Sequence, residues 1–204
     1  MFVLRFDLRI PPFVESLTHG DQYREFLKMV EWADDKGFAA VVLSEHHGTE
    51  DGYMNSPLLL AGSVLGATNN LFCSVSALLL PLHDQLRIAE EIATIDLIAP
   101  GRFNVVIGIG YRESEFEMFD KNRKTRGRDT EEAIRTILTA LKGEPFEYKG
   151  REVLISPKPV SEPSSLISVG GSVEISARRA ARLGLPFVPA VRDESLESAY
   201  FMKA

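Results

Sequence analysis

The sequence predicts an α/β protein built on a parallel β-sheet, and three observations carry that prediction. Short apolar, β-prone runs alternate with stretches of helical period along all 204 residues. The strand-like runs are apolar throughout, as strands are when both faces of a sheet are covered. Glycine, proline or polar clusters punctuate each run, giving a βαβα rhythm that helical crossovers between parallel strands satisfy. No linker, low-complexity tract or composition shift divides the chain, so residues 1–204 are expected to form one domain.

The first strand, residues 2–8, alternates and ends before Pro11-Pro12. Residues 21–36 place Phe26, Leu27, Val30 and Ala33 on one helical face, with Gly37 as the stop. The second strand is 39–43. Ser56 and Pro57 open the second helix, serine at the cap and proline in the first turn, and it continues to about residue 67. The third strand, 71–80, is interrupted only by Ser74 and Ser76. Asp84 caps the third helix, whose Ile88, Ala89, Ile92, Ala93 and Asp96 keep the period to Ala99, and Pro100-Gly101 ends it.

Residues 103–108 form the fourth strand. A polar stretch follows, then a fourth helix over 130–142 with Ala133, Ile134, Ile137, Leu138 and Leu141 on one face. Residues 146–148 and 153–155, joined through Lys149-Gly150-Arg151, suggest a small hairpin outside the main sheet. A fifth strand (166–169), a fifth helix (173–183) and a sixth strand (187–190) follow, and residues 195–204 begin a last helix. Two architectures fit this order, an open doubly wound sheet and a closed eight-unit barrel.

Composition narrows the function. The net charge of -6 argues against nucleic-acid partners, which require a basic face. A single cysteine, Cys73, excludes a disulfide framework and any multi-cysteine metal site, and its apolar surroundings mark it as a small buried hydrophobe. No run approaches the roughly 20 apolar residues of a membrane span. The N-terminal segment is a strand rather than a signal peptide, so a cytoplasmic protein is expected.

In both parallel architectures ligands bind at the C-terminal ends of the strands, so the residues after each strand are the candidates. These are Asp7 and Arg9; Ser44-Glu45-His46-His47; Pro81-Leu82-His83-Asp84; Gly108-Ile109-Gly110-Tyr111-Arg112; and Gly170-Gly171-Ser172. Three of the four histidines thus share one rim. His46 and His47 are adjacent and point to opposite sides of an extended backbone, so no metal site is expected of them. One of the two suits proton transfer at a cavity while the other is held by neighbouring structure.

Gly108-Ile109-Gly110 lacks the third glycine of a dinucleotide fingerprint, because Glu113 stands there. Gly170-Gly171-Ser172 leads into a helix and leaves free N–H groups at its positive end, a phosphate site with Ser172 and Ser176 as hydroxyl donors. The basic run Lys121, Arg123, Lys124, Arg126 and Arg128 reads as a solvated loop, and Arg178, Arg179 and Arg182 as surface charge. Phe116 and Phe119 can wall a pocket or pin their loop to the next helix.

Taken in order, these segments resemble the bacterial luciferase-like monooxygenase family. The resemblance rests on Gly37-Phe38, Ser44-Glu45-His46-His47, Ser56-Pro57-Leu58, Leu80-Pro81-Leu82-His83-Asp84 and Pro100-Gly101-Arg102-Phe103. It continues through Gly108-Ile109-Gly110-Tyr111, Glu115-Phe116, Pro157-Lys158-Pro159, Val169-Gly170-Gly171-Ser172 and Ala180-Ala181-Arg182-Leu183-Gly184. It implies a TIM-type (β/α)8 barrel binding reduced FMN or a deazaflavin coenzyme at the strand ends. It implies His46 as the catalytic histidine, and Ser76-Ala77 as a non-prolyl cis peptide behind the flavin ring. Gly108 and Tyr111 are implied beside the cofactor, and Gly171, Ser172 and Ser176, following Gly170, in its phosphate turn.

Two departures stand out. Ile109 occupies a position where many members carry a phosphate-holding arginine, a role for which Arg112 is the available substitute. A (β/α)8 barrel typically needs about 250 residues, and only six βα units and a hairpin insertion are legible here, so the barrel is expected to be incomplete, as in a C-terminal truncation. The implied activity is a flavin-dependent monooxygenase acting with O2 on a small-molecule substrate, with a flavin reductase as a possible electron source. Hydride transfer with a deazaflavin is the alternative, and a non-catalytic flavin-binding protein on a reduced barrel is the reading from a different class. The family further implies a homodimer through the second and third helices.

Overall fold

Strand order decides between the two parallel architectures. In the computed structural model, which describes residues 1–190 and 194–201, six parallel strands lie side by side in the order in which the chain makes them. They are β1 (Val3–Phe6), β2 (Ala40–Leu43), β3 (Phe72–Leu79), β4 (Phe103–Gly108), β7 (Ile167–Gly171) and β8 (Phe187–Pro189). A doubly wound sheet would reverse order at a switch point; this sheet never does. It is the wall of a barrel, not closed, with β1 and β8 at its two edges.

The helices are α1 (His19–Asp35), α2 (Pro57–Ala67), α3 (Gln85–Ile98), α4 (Glu113–Met118), α5 (Arg126–Ala140), α6 (Pro163–Leu166), α7 (Glu174–Leu183) and α8 (Glu194–Phe201). Capping chemistry sets several starts: the Thr18 hydroxyl accepts from the Asp21 N–H, and Asp84 accepts from the N–H groups of Leu86 and Arg87. Gly184, in the left-handed region at φ 67°, ends α7. The hairpin pairs β5 (Phe146–Tyr148) with β6 (Arg151–Val153) apart from the main sheet, two residues earlier than the sequence pattern suggests, because Lys149 and Gly150 form the whole turn at positive φ. The polar stretch after β4 contains α4, whose single buried turn is too short to show a period, and α5 starts at Arg126 rather than residue 130. The last helix follows expectation as far as Phe201; its predicted continuation over 202–204 lies outside the described residues.

The expectation of strands covered on both faces needs correction. One face, bearing Val41, Leu43, Cys73, Val75, Val105, Ile107 and Val169, is fully buried within the core. The other carries Ser74, Ser76 and Asn104, which are half-buried, and Ser168, whose hydroxyl donates to Asn104 Oδ1 at 3.2 Å. In an open wall this concave face is only partly enclosed, and it tolerates polar residues.

Buried acids clamp the loops at the N-terminal ends of the strands. Asp34 accepts from the N–H groups of Asn69, Asn70 and Leu71 at 2.7–2.9 Å. Asp96 accepts from the N–H groups of Val160 and Ser161 at 2.7 Å and from the Ser161 hydroxyl at 2.6 Å. Stability residues at that end leave the opposite rim to chemistry.

Candidate active site

The rim forms where β2, β3, β4 and β7 end together. Register aligns Leu43 with Val75, Leu79 with Gly108, and Val169 with Ile107. The strand-end candidates therefore lie on adjacent strands, and the Ser76–Ala77 peptide is cis, as the resemblance implies. A bulge between Ser76 and Leu78 brings Ala77 so close to Gly108 that a side chain at 108 would meet the Ala77 methyl at 2.9 Å.

Beyond β2 the chain stays extended, and the pleat sorts its four polar residues into two pairs. Ser44 and His46 turn to one side, where the Ser44 hydroxyl is 2.7 Å from the Tyr53 hydroxyl and the His46 ring meets Tyr53 edge-on at 4.8 Å. Glu45 and His47 turn to the other, and His47 Nε2 donates to Glu45 Oε1 at 2.7 Å.

His46 is held by Glu115, a carboxylate with only 1% of its surface exposed. Glu115 Oε1 accepts from His46 Nδ1 at 2.8 Å and from the His47 backbone N–H at 3.1 Å. A carboxylate has no proton to give, so Nδ1 carries the hydrogen and Nε2 is left to face the rim. There it lies 3.5 Å from the Tyr111 hydroxyl, with the two rings at 83°. Arg9, paired with Asp7, sits over the Tyr53 ring at 5.3 Å, extending the wall to β1.

Glu45 is the second buried carboxylate. It accepts from His47 Nε2, from His83 Nε2 at 2.6 Å and from the Leu79 N–H at 2.5 Å. Burial alone would push its pKa up; the two imidazoles and the amide outweigh burial and hold it down at about 2. All three histidines that follow the strands are thus bonded to buried carboxylates, His46 to Glu115 and both His47 and His83 to Glu45. Glu115 as the partner of His46 was not anticipated: Glu113, Glu115 and Glu117 look alike in sequence, and only the inward turn of α4 selects one.

The glycine turn after β7 is tightly packed. A Cβ at Gly171 would stand 2.3 Å from Ser176 Oγ, and one at Gly170 would stand 2.9 Å from Val106. Val173 caps α7 without a side-chain hydrogen bond, and of the first-turn N–H groups that of Ser176 donates to the Val173 carbonyl at 2.9 Å. Arg112 lies along the Tyr111 ring at 5.8 Å. Of the basic run, Arg123 donates to the Tyr111 carbonyl and pairs with Glu113, fixing the loop after β4. Phe119 packs edge-on against His47, and Phe116 is buried under the same loop. Arg179 is not surface charge as expected: it is buried between α7 and α5, with Nε 3.8 Å from Glu131. Cys73 is buried as expected, its thiol pushed up to about 12 by burial.

Among the described residues no helix is long and apolar enough to cross a membrane. The alkanal monooxygenase alpha chain of the Kryptophanaron alfredi symbiont is 27% identical over 179 residues, covering 85% of this chain and 50% of that protein. The oxygenating constituent of 3,6-diketocamphane monooxygenase from the CAM plasmid of Pseudomonas putida, in complex with FMN, superposes with a TM-score of 0.74 at 21% identity, over 98% of this chain and 61% of that one. An F420-dependent secondary alcohol dehydrogenase gives a TM-score of 0.74 at 17% identity, over 97% of this chain and 62% of that one. These two structures share the fold. The chain spans about half the length of the curated relatives it matches. The profile of luciferase-like monooxygenases matches residues 4–201, and the chain belongs to that family.

Proposed function

We propose that this protein acts as a flavin-dependent monooxygenase, using reduced FMN and O2 on a small organic substrate, with His46 as its proton-handling residue. The observation that carries the reading is the His46–Glu115 pair: a buried carboxylate fixes the ring and its tautomer, leaving Nε2 as the exchangeable nitrogen on the rim. Tyr53 and Tyr111 pack edge-on against that ring, and the Tyr111 hydroxyl is 3.5 Å from Nε2.

The residues present fit a flavin. The contact between Ala77 and Gly108 leaves the ends of β3 and β4 without bulk where a flat ring would lie. Gly170, Gly171, Ser172, Ser176 and the uncapped first turn of α7 offer amide and hydroxyl donors for its phosphate. With Ile109 in place of an arginine, that anion would be held by these donors. When bound, the flavin would supply the redox chemistry; the chain supplies position and a proton acceptor at His46 Nε2. Hydride transfer with a deazaflavin would use the same rim and the same histidine. We also read residues 1–204 as one partial barrel domain working in the cytoplasm, with a reductase supplying reduced flavin. A homodimer across α2 and α3 is part of this reading, because Leu59, Leu97 and Ile98 expose apolar surface there beside a groove of about 690 Å³.

The test is a titration of the purified protein with FMN and with a deazaflavin, followed by turnover of aldehydes and ketones under reduced cofactor. His46→Ala is expected to keep cofactor affinity and lose about 10²–10⁴ in rate. If neither cofactor binds at micromolar concentration, the enzyme reading is abandoned. Binding without turnover, indifferent to His46→Ala, would leave a non-catalytic flavin-binding protein. Light scattering checks the dimer, and a monomer at working concentration would remove it.

A further inference from the structure

We propose that Glu45, His47 and His83 form a binding site for a divalent transition-metal ion of the zinc type, separate from the His46 pair. Their ligand atoms lie within 4.8 Å of one another, the one such group among the described residues. Both imidazoles present Nε2 to the same carboxylate oxygen, at 2.6 and 2.7 Å. Two imidazoles and a carboxylate, with a fourth position for water, are a donor set zinc accepts.

A tetrahedral ion with ligands at about 2.1 Å would set neighbouring donors about 3.4 Å apart, so the cluster must open by about 0.8 Å. His83 can supply that movement: it follows the 3-10 turn Leu80–Leu82 and is partly exposed, whereas Glu45 and His47 are fixed by burial. The Leu79 N–H already holds the other carboxylate oxygen, the kind of outer contact that orients a ligating carboxylate. An entry path exists as well. His83 and Leu78 line the groove between α2 and α3, together with Asn55, Glu90 and Glu91, so in the single chain the cluster is reached from outside the barrel without crossing the flavin rim, and a dimer across α2 and α3 would close that path.

Glu45 and His47 alternate on one side of the extended segment, and the exit of β3 delivers His83 to them. His46 points the other way, so the adjacent histidines do not share the cluster; joining His47 to His83 through Glu45 departs from the expectation of no metal site.

The experiment is calorimetric titration of the full chain, after chelator treatment, with Zn²⁺, repeated with Co²⁺ to read visible ligand-field absorption. One ion per chain is expected. His83→Gln should weaken binding by roughly 100-fold or more, since outer contacts alone are worth 10–100-fold, and should bleach the cobalt bands. His19→Gln, which alters a histidine outside both the cluster and the His46 pair, should leave both unchanged. Thermal melts in the presence and absence of Zn²⁺ report binding independently of any flavin. No saturable binding, or binding indifferent to His83→Gln in a folded variant, would overturn the site and leave a hydrogen-bonded hub only.

Discussion

Glu115→Gln isolates what the buried carboxylate does for His46. The amide keeps an oxygen for His46 Nδ1 and the His47 N–H, now 2.8 and 3.1 Å from Glu115 Oε1, so geometry is largely preserved and only the charge is lost. A hydrogen bond to a charged group is worth about 1.5–3 kcal/mol, which converts to roughly 10–150-fold in rate if the charge is felt fully in the transition state. Because Gln retains the acceptor, the lower end, about tenfold, is expected. Glu115→Ala should lose more and also destabilise the fold, since it orphans two donors at about 1–3 kcal/mol each. The assay is single-turnover oxidation with pre-reduced cofactor, alongside cofactor affinity and urea unfolding. If His46 works through Glu115, the two substitutions combine to less than the product of their separate effects. A Glu115→Gln protein within twofold of the parent, while His46→Ala is inactive, would refute the pairing argument.

Other expectations follow from the clamps and the glycine turn. Asp96→Ala removes the acceptor of three amides and a hydroxyl, and should cost about 2–5 kcal/mol, seen as a melting temperature lowered by ~5–15 °C. Burial alone would raise the Asp34 pKa, but the amides of Asn69, Asn70 and Leu71 win and lower it. The stability Asp34 contributes is therefore complete above its unfolded value of 3.8 and lost as pH falls through the depressed folded value. The gap in unfolding free energy between the parent and Asp34→Asn should be constant near neutrality and narrow only below about pH 4; a gap that narrows above pH 5 contradicts the sign. Gly171→Ala drives a methyl to 2.3 Å from Ser176 Oγ, so it should destabilise by about 1–3 kcal/mol and weaken cofactor binding, measured by fluorescence titration.

Element type was legible wherever one turn chemistry or one period dominated. β4 occupies residues 103–108 as read from the sequence, and Ser56-Pro57 and Asp84 mark the helix starts they were expected to mark. Strand order was not legible, because pairing among parallel strands leaves no local trace. The concave polar row of Ser74, Asn104 and Ser168 was visible in the sequence, but an apolar-run criterion treats such residues as interruptions. Arg179 illustrates a signal passed over. It lies three residues after Ser176 and four before Leu183, on the stripe that α7 turns inward, and that spacing outweighs the usual exposure of arginine.

The site itself shows where local reading ends. Ser44-Glu45-His46-His47 fixes, by pleat alone, that the two imidazoles face opposite ways and that Glu45 shares a side with His47. What each side chain then does depends on partners the segment cannot specify: Glu115 lies 69 residues from His46, and His83 lies 38 from Glu45. One imidazole thereby becomes a fixed ring with a nitrogen on the flavin rim, and its neighbour becomes part of a buried cluster reached from the helix groove. The two sides remain joined, because Glu115 also accepts the His47 N–H. A change that moves the His47 backbone should therefore disturb His46 through Glu115, whereas changing the His47 or His83 ring alone should leave the His46–Glu115 bond in place.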